Sequence, residues 1–116
     1  MLTGALLGLM RQLGLDIITL TEEIDETEFF ASRLTRIETL RLLGGMVQTA
    51  ADVPVDIRSG MPQIDWAAWA ALPEKLGHPA QHPLQIWVAI KELTPTTVHH
   101  LNDYRRTQPK LFSIVP

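Results

Sequence analysis

The stretch Met61-Pro62-Gln63-Ile64-Asp65-Trp66-Ala67-Ala68-Trp69-Ala70-Ala71-Leu72-Pro73-Glu74-Lys75-Leu76-Gly77-His78-Pro79-Ala80 carries the densest structural signals in this chain. Asp65 suits a helix N-cap, because its carboxylate accepts a hydrogen bond from a backbone N–H that the first turn leaves free. Trp66, Trp69 and Leu72 then recur on one helical face. Pro73 falls near the end of that helix. A proline in a helix interior deletes a hydrogen bond and presses on the preceding turn, at a cost of ~3 kcal/mol, so a break or bend is predicted there. Gly77, Pro79 and Pro83 make His78 to Pro83 irregular.

Toward the N-terminus, Leu6, Leu9, Leu13, Ile17, Leu20 and Ile24 form a stripe at helical spacing. It predicts one long helix from about Leu2 to Glu23. Gly4, Gly8 and Gly14 weaken this helix by ~1 kcal/mol each where exposed, so they are expected at places where another helix approaches closely. The acidic run Glu22, Glu23, Asp25, Glu26 and Glu28 contains the boundary, because carboxylates suit a helix start and not a helix end. A short helix begins near Thr27. A second long helix runs from about Leu34 to Asp52, with Leu34, Ile37, Leu40, Gly44, Val47 and Ala51 as its stripe and Gly44-Gly45 marking a kink or a tight crossing. Pro54 ends it, and Val53 to Gln63 reads as a loop.

Toward the C-terminus, Leu84 to Leu93 reads as a fourth helix with Ile86, Trp87, Ile90 and Leu93 inside. Thr94-Pro95 looks like a fresh helix start, with Thr at the cap and Pro at the first helical position. A fifth helix follows from Pro95 to about Thr107 with Val98, Leu101 and Tyr104 as its apolar face, and Ser113 to Pro116 is a tail. No segment reads as a strand. The predicted fold is all-α, an antiparallel bundle of about five helices in a single domain over residues 1–116.

Hydrophobic residues at 46% and charged residues at 20% are ordinary for a globular domain and argue against disorder. The absence of cysteine excludes disulfides and thiolate metal sites. A formal charge of −3 gives no general attraction to nucleic acid, so any RNA contact needs a local cluster of Lys and Arg. No apolar run approaches the ~20 residues of a spanning helix, and no cleavable leader is evident. No membrane association and a cytoplasmic location are expected.

The stretch quoted above resembles the signature region of the HepT-like family, small all-helical ribonuclease toxins of the HEPN superfamily. In that family a proline-isoleucine-aspartate-tryptophan segment leads into a helix that ends in Arg-Asn, followed by a spacer, His, any residue and Tyr. Along this chain the histidine falls on His78, the arginine on Pro73, the asparagine on Glu74 and the tyrosine on Ala80. Further segments are similar in order and spacing. Glu28-Phe29-Phe30 through Arg41-Leu42-Leu43-Gly44 looks like the family's phenylalanine segment and second helix, where Gly45 and Met46 replace the usual Glu-Ala. Ile86-Trp87 through Leu93-Thr94-Pro95 looks like its Val-Trp helix and Asp-Leu-Pro junction. The resemblance implies a HEPN-type bundle, a homodimer, metal-independent RNA cleavage in a cleft near the dimer interface, and a minimal nucleotidyltransferase antitoxin that adenylylates the motif tyrosine.

A histidine can take the ribose 2′-hydroxyl proton, and an arginine can hold the phosphate with a planar fork. This chain keeps only the histidine. Pro73 cannot bind phosphate, Glu74 repels it, Lys75 offers a point charge without the fork, and Ala80 has no hydroxyl to modify. The expectation is therefore a homodimeric binding module with a degraded nuclease motif, toward RNA or a nucleotidyltransferase partner. The alternative is a divergent endoribonuclease with His78 as general base and Lys75, Arg58, Arg105 or Arg106 on the phosphate, the arginines coming from the same or a partner chain. A third reading is a small helical interaction protein unrelated to RNA.

No cofactor and no metal are expected. Pro79 and Pro83 interrupt any helical His78–His82 pair, and His99 and His100, adjacent on a helix, should point apart, one at the surface and one against Tyr104 or a dimer mate. Trp66, Trp69 and Trp87 are read as core or interface anchors ahead of base-stacking platforms. Arg33, Arg36 and Arg41, with Arg105 and Arg106, are the basic concentrations that could meet RNA phosphates, and Arg33 and Arg36 can equally pair with the acidic run.

Overall fold

In the computed structural model, which describes residues 3–112, the chain is helical throughout and no strand occurs among the described residues. The elements are α1 (Thr3–Thr21), α2 (Glu26–Ala31), α3 (Arg33–Asp52), α4 (Val55–Ser59), α5 (Trp66–Leu76), a 3₁₀ turn (Pro79–Gln81), α6 (Pro83–Val88), a π turn (Ala89–Leu93), α7 (Thr94–Thr107) and a closing 3₁₀ turn (Pro109–Phe112). The predicted tail and the proposed start at Leu2 lie outside the described residues.

Four rods make the bundle: α1, α3, α5 and the continuous α6–π–α7 rod. α1 runs antiparallel to α7, since Arg11 bonds Asn102 near one end and Lys91 donates to the Thr21 carbonyl near the other. α5 also runs against α7, with the Tyr104 hydroxyl accepting from the Gln63 N–H at 3.3 Å and Trp69 Nε1 donating to Thr97 Oγ1 at 3.0 Å. The body measures 45 × 26 × 21 Å. Its core gathers Leu7, Met10 and Ile17 of α1, Leu43 and Met46 of α3, Trp69 of α5, and Ile86, Ile90 and Leu101 of the last rod.

Glycine decides how closely the rods approach. A Cβ at Gly14 would stand 2.4 Å from Val98 Cγ2, and one at Gly45 would stand 3.1 Å from Leu13 Cδ1. α1 is therefore pressed against α7 at one and against α3 at the other, as expected for glycines in helix interiors. Gly8 and Gly44 meet nothing within 4 Å and do no such packing.

Four sequence expectations need correction. First, the buried faces are rotated from the leucine stripes. α1 buries Gly4, Leu7, Met10, Gly14, Ile17 and Thr21 while Leu9 is exposed, and α3 buries Thr39, Leu42, Leu43, Met46, Thr49 and Ala50 while Leu34 is 83% and Ile37 52% exposed. Thr21 and Thr49 enter the core with their hydroxyls bonded inside their own helices, to the Ile17 and Gly45 carbonyls, both at 2.7 Å, while the buried Thr39 hydroxyl has no partner among the described residues. Second, α5 runs through Pro73 to Leu76. Pro73 sits on the solvent side one turn from the end, so a single bond is lost while buried Trp69 and Leu72 anchor the preceding turns.

Third, Thr94-Pro95 starts no separate helix. Thr94 is itself helical, its N–H and its hydroxyl both reach the Ala89 carbonyl, the latter at 2.8 Å, and the π turn inserts the extra residue that relieves the clash of the Pro95 ring with the preceding turn. The fourth and fifth predicted helices are thus one rod. Fourth, the 53–63 loop contains a single helical turn, α4, opened by Pro54. The short helix near Thr27 does form, fastened by a reciprocal capping box between Asp25 and Glu28.

Candidate functional site

The segment that carries the family resemblance works first as a helix-starting device. Ile64 and Met61 are buried, the Trp66 indole donates to the Met61 carbonyl at 3.0 Å, and Asp65 caps α5 by accepting from the Ala68 N–H at 3.0 Å. These contacts set the direction in which α5 leaves the loop.

From there the motif positions fan outward. Pro73, Glu74, His78 and Ala80 are all exposed, His78 just beyond the end of α5 and Ala80 within the following 3₁₀ turn. Among the described residues no hydrogen bond or ion pair joins the His78 ring to a guanidinium. Arg105 and Arg106 lie toward the opposite end of the bundle, roughly 30 Å along the α6–α7 rod at ~1.5 Å per residue. Arg106 there is engaged with Asp103 at 2.7 Å, and Arg105 borders a concavity with Arg11, Gly4, Gly8 and Phe112. Arg58 belongs to α4, in the loop that precedes α5. Within one chain the structure therefore does not bring Arg105 or Arg106 to His78.

Lys75 lines a second concave site, at the motif end of the molecule. It is a groove of about 550 Å³ between α5 and the last rod, which the sequence did not announce. Leu72 and Ala89 form its floor. Ala68 and Ala71 line the α5 wall, Leu84, Val88 and Leu93 the other, and Asp65, Lys75 and Glu92 stand among the lining residues as its charges. The π turn shapes this wall, supplying Ala89, Glu92 and Leu93. Leu84 is 61% and Val88 40% exposed, so large apolar side chains border holes left by alanines.

The tryptophans serve the core, as their spacing suggested. Trp69 is fully buried, and Trp87 lies 5.5 Å from Phe29 between ring centroids, with the Lys91 ammonium 5.1 Å from its face. Arg36 donates to the Phe30 carbonyl, and Arg41 pairs with Glu38, neither with the acidic run. Arg41 holds the Glu38 carboxyl below the ordinary carboxylate range by hydrogen bonding first and by charge second. No helix of the described residues is long and apolar enough to cross a membrane.

No family model, no curated protein and no solved structure matches this chain.

Proposed function

We propose that this protein is a homodimeric binding module on a HepT-like helical scaffold, acting by association and not by cutting RNA. The observation that carries this reading is the α5/α6 groove beside the degraded motif. A twofold interface requires a self-complementary surface, and the lining of this groove offers both bulges and gaps. Leu84 and Val88 are knobs, and Ala68 and Ala71 are holes of similar spacing on the opposite wall. A twofold axis near the level of Lys75 and Glu92 would lay the knobs of one copy over the holes of the other and bring each Lys75 to the partner's Glu92. Burial of such aliphatic side chains contributes ~1.5–3 kcal/mol each before the cost of association.

The partner that the resemblance implies is a minimal nucleotidyltransferase. With Ala80 in the tyrosine position that association would rest on contact alone, without adenylylation. RNA is a ligand of the second rank, since Arg105 and Arg106 lie toward the opposite end of the bundle from His78 and no arginine lines the groove.

Light scattering on the full chain at micromolar concentration tests the interface, beside Leu84→Arg and Val88→Arg. A dimer that becomes a folded monomer in both variants is the expected result. A monomeric wild type, or variants that remain dimeric, would sink the assignment. In parallel, bulk transfer RNA is incubated with the protein and with His78→Ala. No cleavage is expected, and cleavage that disappears in His78→Ala would replace the binding reading with a nuclease that recruits its phosphate ligand from a second chain.

A further inference from the structure

The last rod carries a constellation that the fold does not need. His99, His100 and Asp103 project from one side of α7, and one ligand atom of each lies within 4.8 Å of the others. The two rings, expected to diverge, stand with centroids 5.5 Å apart at 59°. His99 Nε2 and Asp103 Oδ2 are 3.3 Å apart. Two ligands bound at ~2.0–2.1 Å to one tetrahedral ion are separated by roughly this distance.

The surroundings favour coordination. The Arg106 guanidinium holds the other oxygen, Asp103 Oδ1, at 2.7 Å, which turns Oδ2 toward His99. Among the described residues the His100 ring has no hydrogen-bond partner, and its Nδ1 is enclosed. A buried polar nitrogen left unsatisfied is unfavourable, and a ligand nitrogen of this ring already lies within 4.8 Å of the other two ligand atoms. By contrast, an ordinary helical ion pair would require only His99 and Asp103, four residues apart.

We infer that His99, His100 and Asp103 form a binding site for a borderline transition-metal ion of the Zn²⁺, Ni²⁺ or Cu²⁺ class. Two imidazoles and one carboxylate suit these ions and not Mg²⁺ or Ca²⁺, which take oxygen ligands. Three protein ligands leave one position open to water or to an exogenous group. The site stands apart from His78 and does not depend on the dimer assignment.

Calorimetric titration of the full chain with ZnCl₂ is the test, with MgCl₂ as control. One Zn²⁺ per chain is expected, with no Mg²⁺ binding. His100→Ala and Asp103→Ala should each weaken the affinity by about tenfold or more, the size of effect seen when a ligand's support is lost. His99→Ala alters a ring on the exposed face and guards against misfolding of the partly enclosed His100 variant, with circular dichroism confirming helix content. His78→Ala and His82→Ala should bind as the wild type does. No heat with ZnCl₂, an unchanged affinity in His99→Ala and His100→Ala, or loss of binding only in the loop variants would each overturn the assignment.

Discussion

Where α1 crosses α3 and α7, glycine stands at the contacts; where α5 faces α6, alanine does, and no helix among the described residues fills the gap. At the first seam a missing side chain is answered by a close neighbour: Val98 reaches into the space at Gly14 and Leu13 into that at Gly45. At the second, Ala68, Ala71 and Ala89 leave a groove of about 550 Å³, flanked by Leu84 and Val88 in partial exposure. Small residues thus have two opposite consequences in one bundle. They draw helices together where the chain supplies the opposing surface, and they leave an opening where it does not.

That comparison can be broken by substitution. The largest effect belongs to Trp69, which ties the two sides together. Trp69→Ala should cost ~3–5 kcal/mol in urea unfolding, as for large core truncations, because it also deprives Thr97 of its indole partner. A loss well below that would mean that α5 is held from elsewhere and that the groove wall is not set by the core. Next comes the closed seam itself. Gly14→Ala places a methyl against branched Val98, so a net destabilisation of ~1–3 kcal/mol is expected even though alanine favours helix.

Gly8→Ala and Gly44→Ala provide the counterpart. Their added Cβ meets nothing within 4 Å, so each should raise stability by ~1 kcal/mol. If Gly14→Ala melts with them and not below them, the tight seam is not tight. The smallest effect is at Glu38. Its carboxyl is held below the usual range, so the Arg41 pair adds stability above the unfolded carboxyl pKa and loses it as pH falls through the folded value. Arg41→Ala should return the Glu38 titration, followed by NMR, toward the ordinary value. Both side chains face solvent, so little change in melting temperature should accompany it.

The long helices were legible: the C-terminal end of α1, both ends of α3, the Asp65 cap and the stop at Pro54 all follow from local chemistry. Which face of α1 and of α3 is inside was not, whereas Trp69 and Leu72 of α5 and Val98, Leu101 and Tyr104 of α7 are buried as their spacing predicts. A hydrophobic stripe marks the core only when bulk fills it, and here the innermost line of α1 runs through Gly14 and Thr21 while that of α3 runs through Thr39 and Thr49. Hydropathy counts these residues as neutral or polar, so the apparent stripe shifts toward Leu9, Leu34 and Ile37. Pro73 and Pro95 misled for a related reason. Pro73 reads as a break by the bond it removes and Pro95 as the first position of a new helix, whereas flanking burial carries the one and an added residue accommodates the other. The groove was beyond reach, since its walls come from segments joined only by the fold.

The π turn at Ala89–Leu93 has one more consequence. It divides a single rod into two parts whose side chains are out of phase by one residue, about 100° of rotation for ~3.6 residues per turn. Leu84 and Val88 are indexed to the groove on one side of this offset, and Val98 to Gly14 on the other. Removing one residue there would restore a regular helix and swing every side chain beyond it to a new bearing. The turn therefore works as a gear tooth: one inserted residue keeps the outward-facing half of the rod and its core-facing half in register with different neighbours.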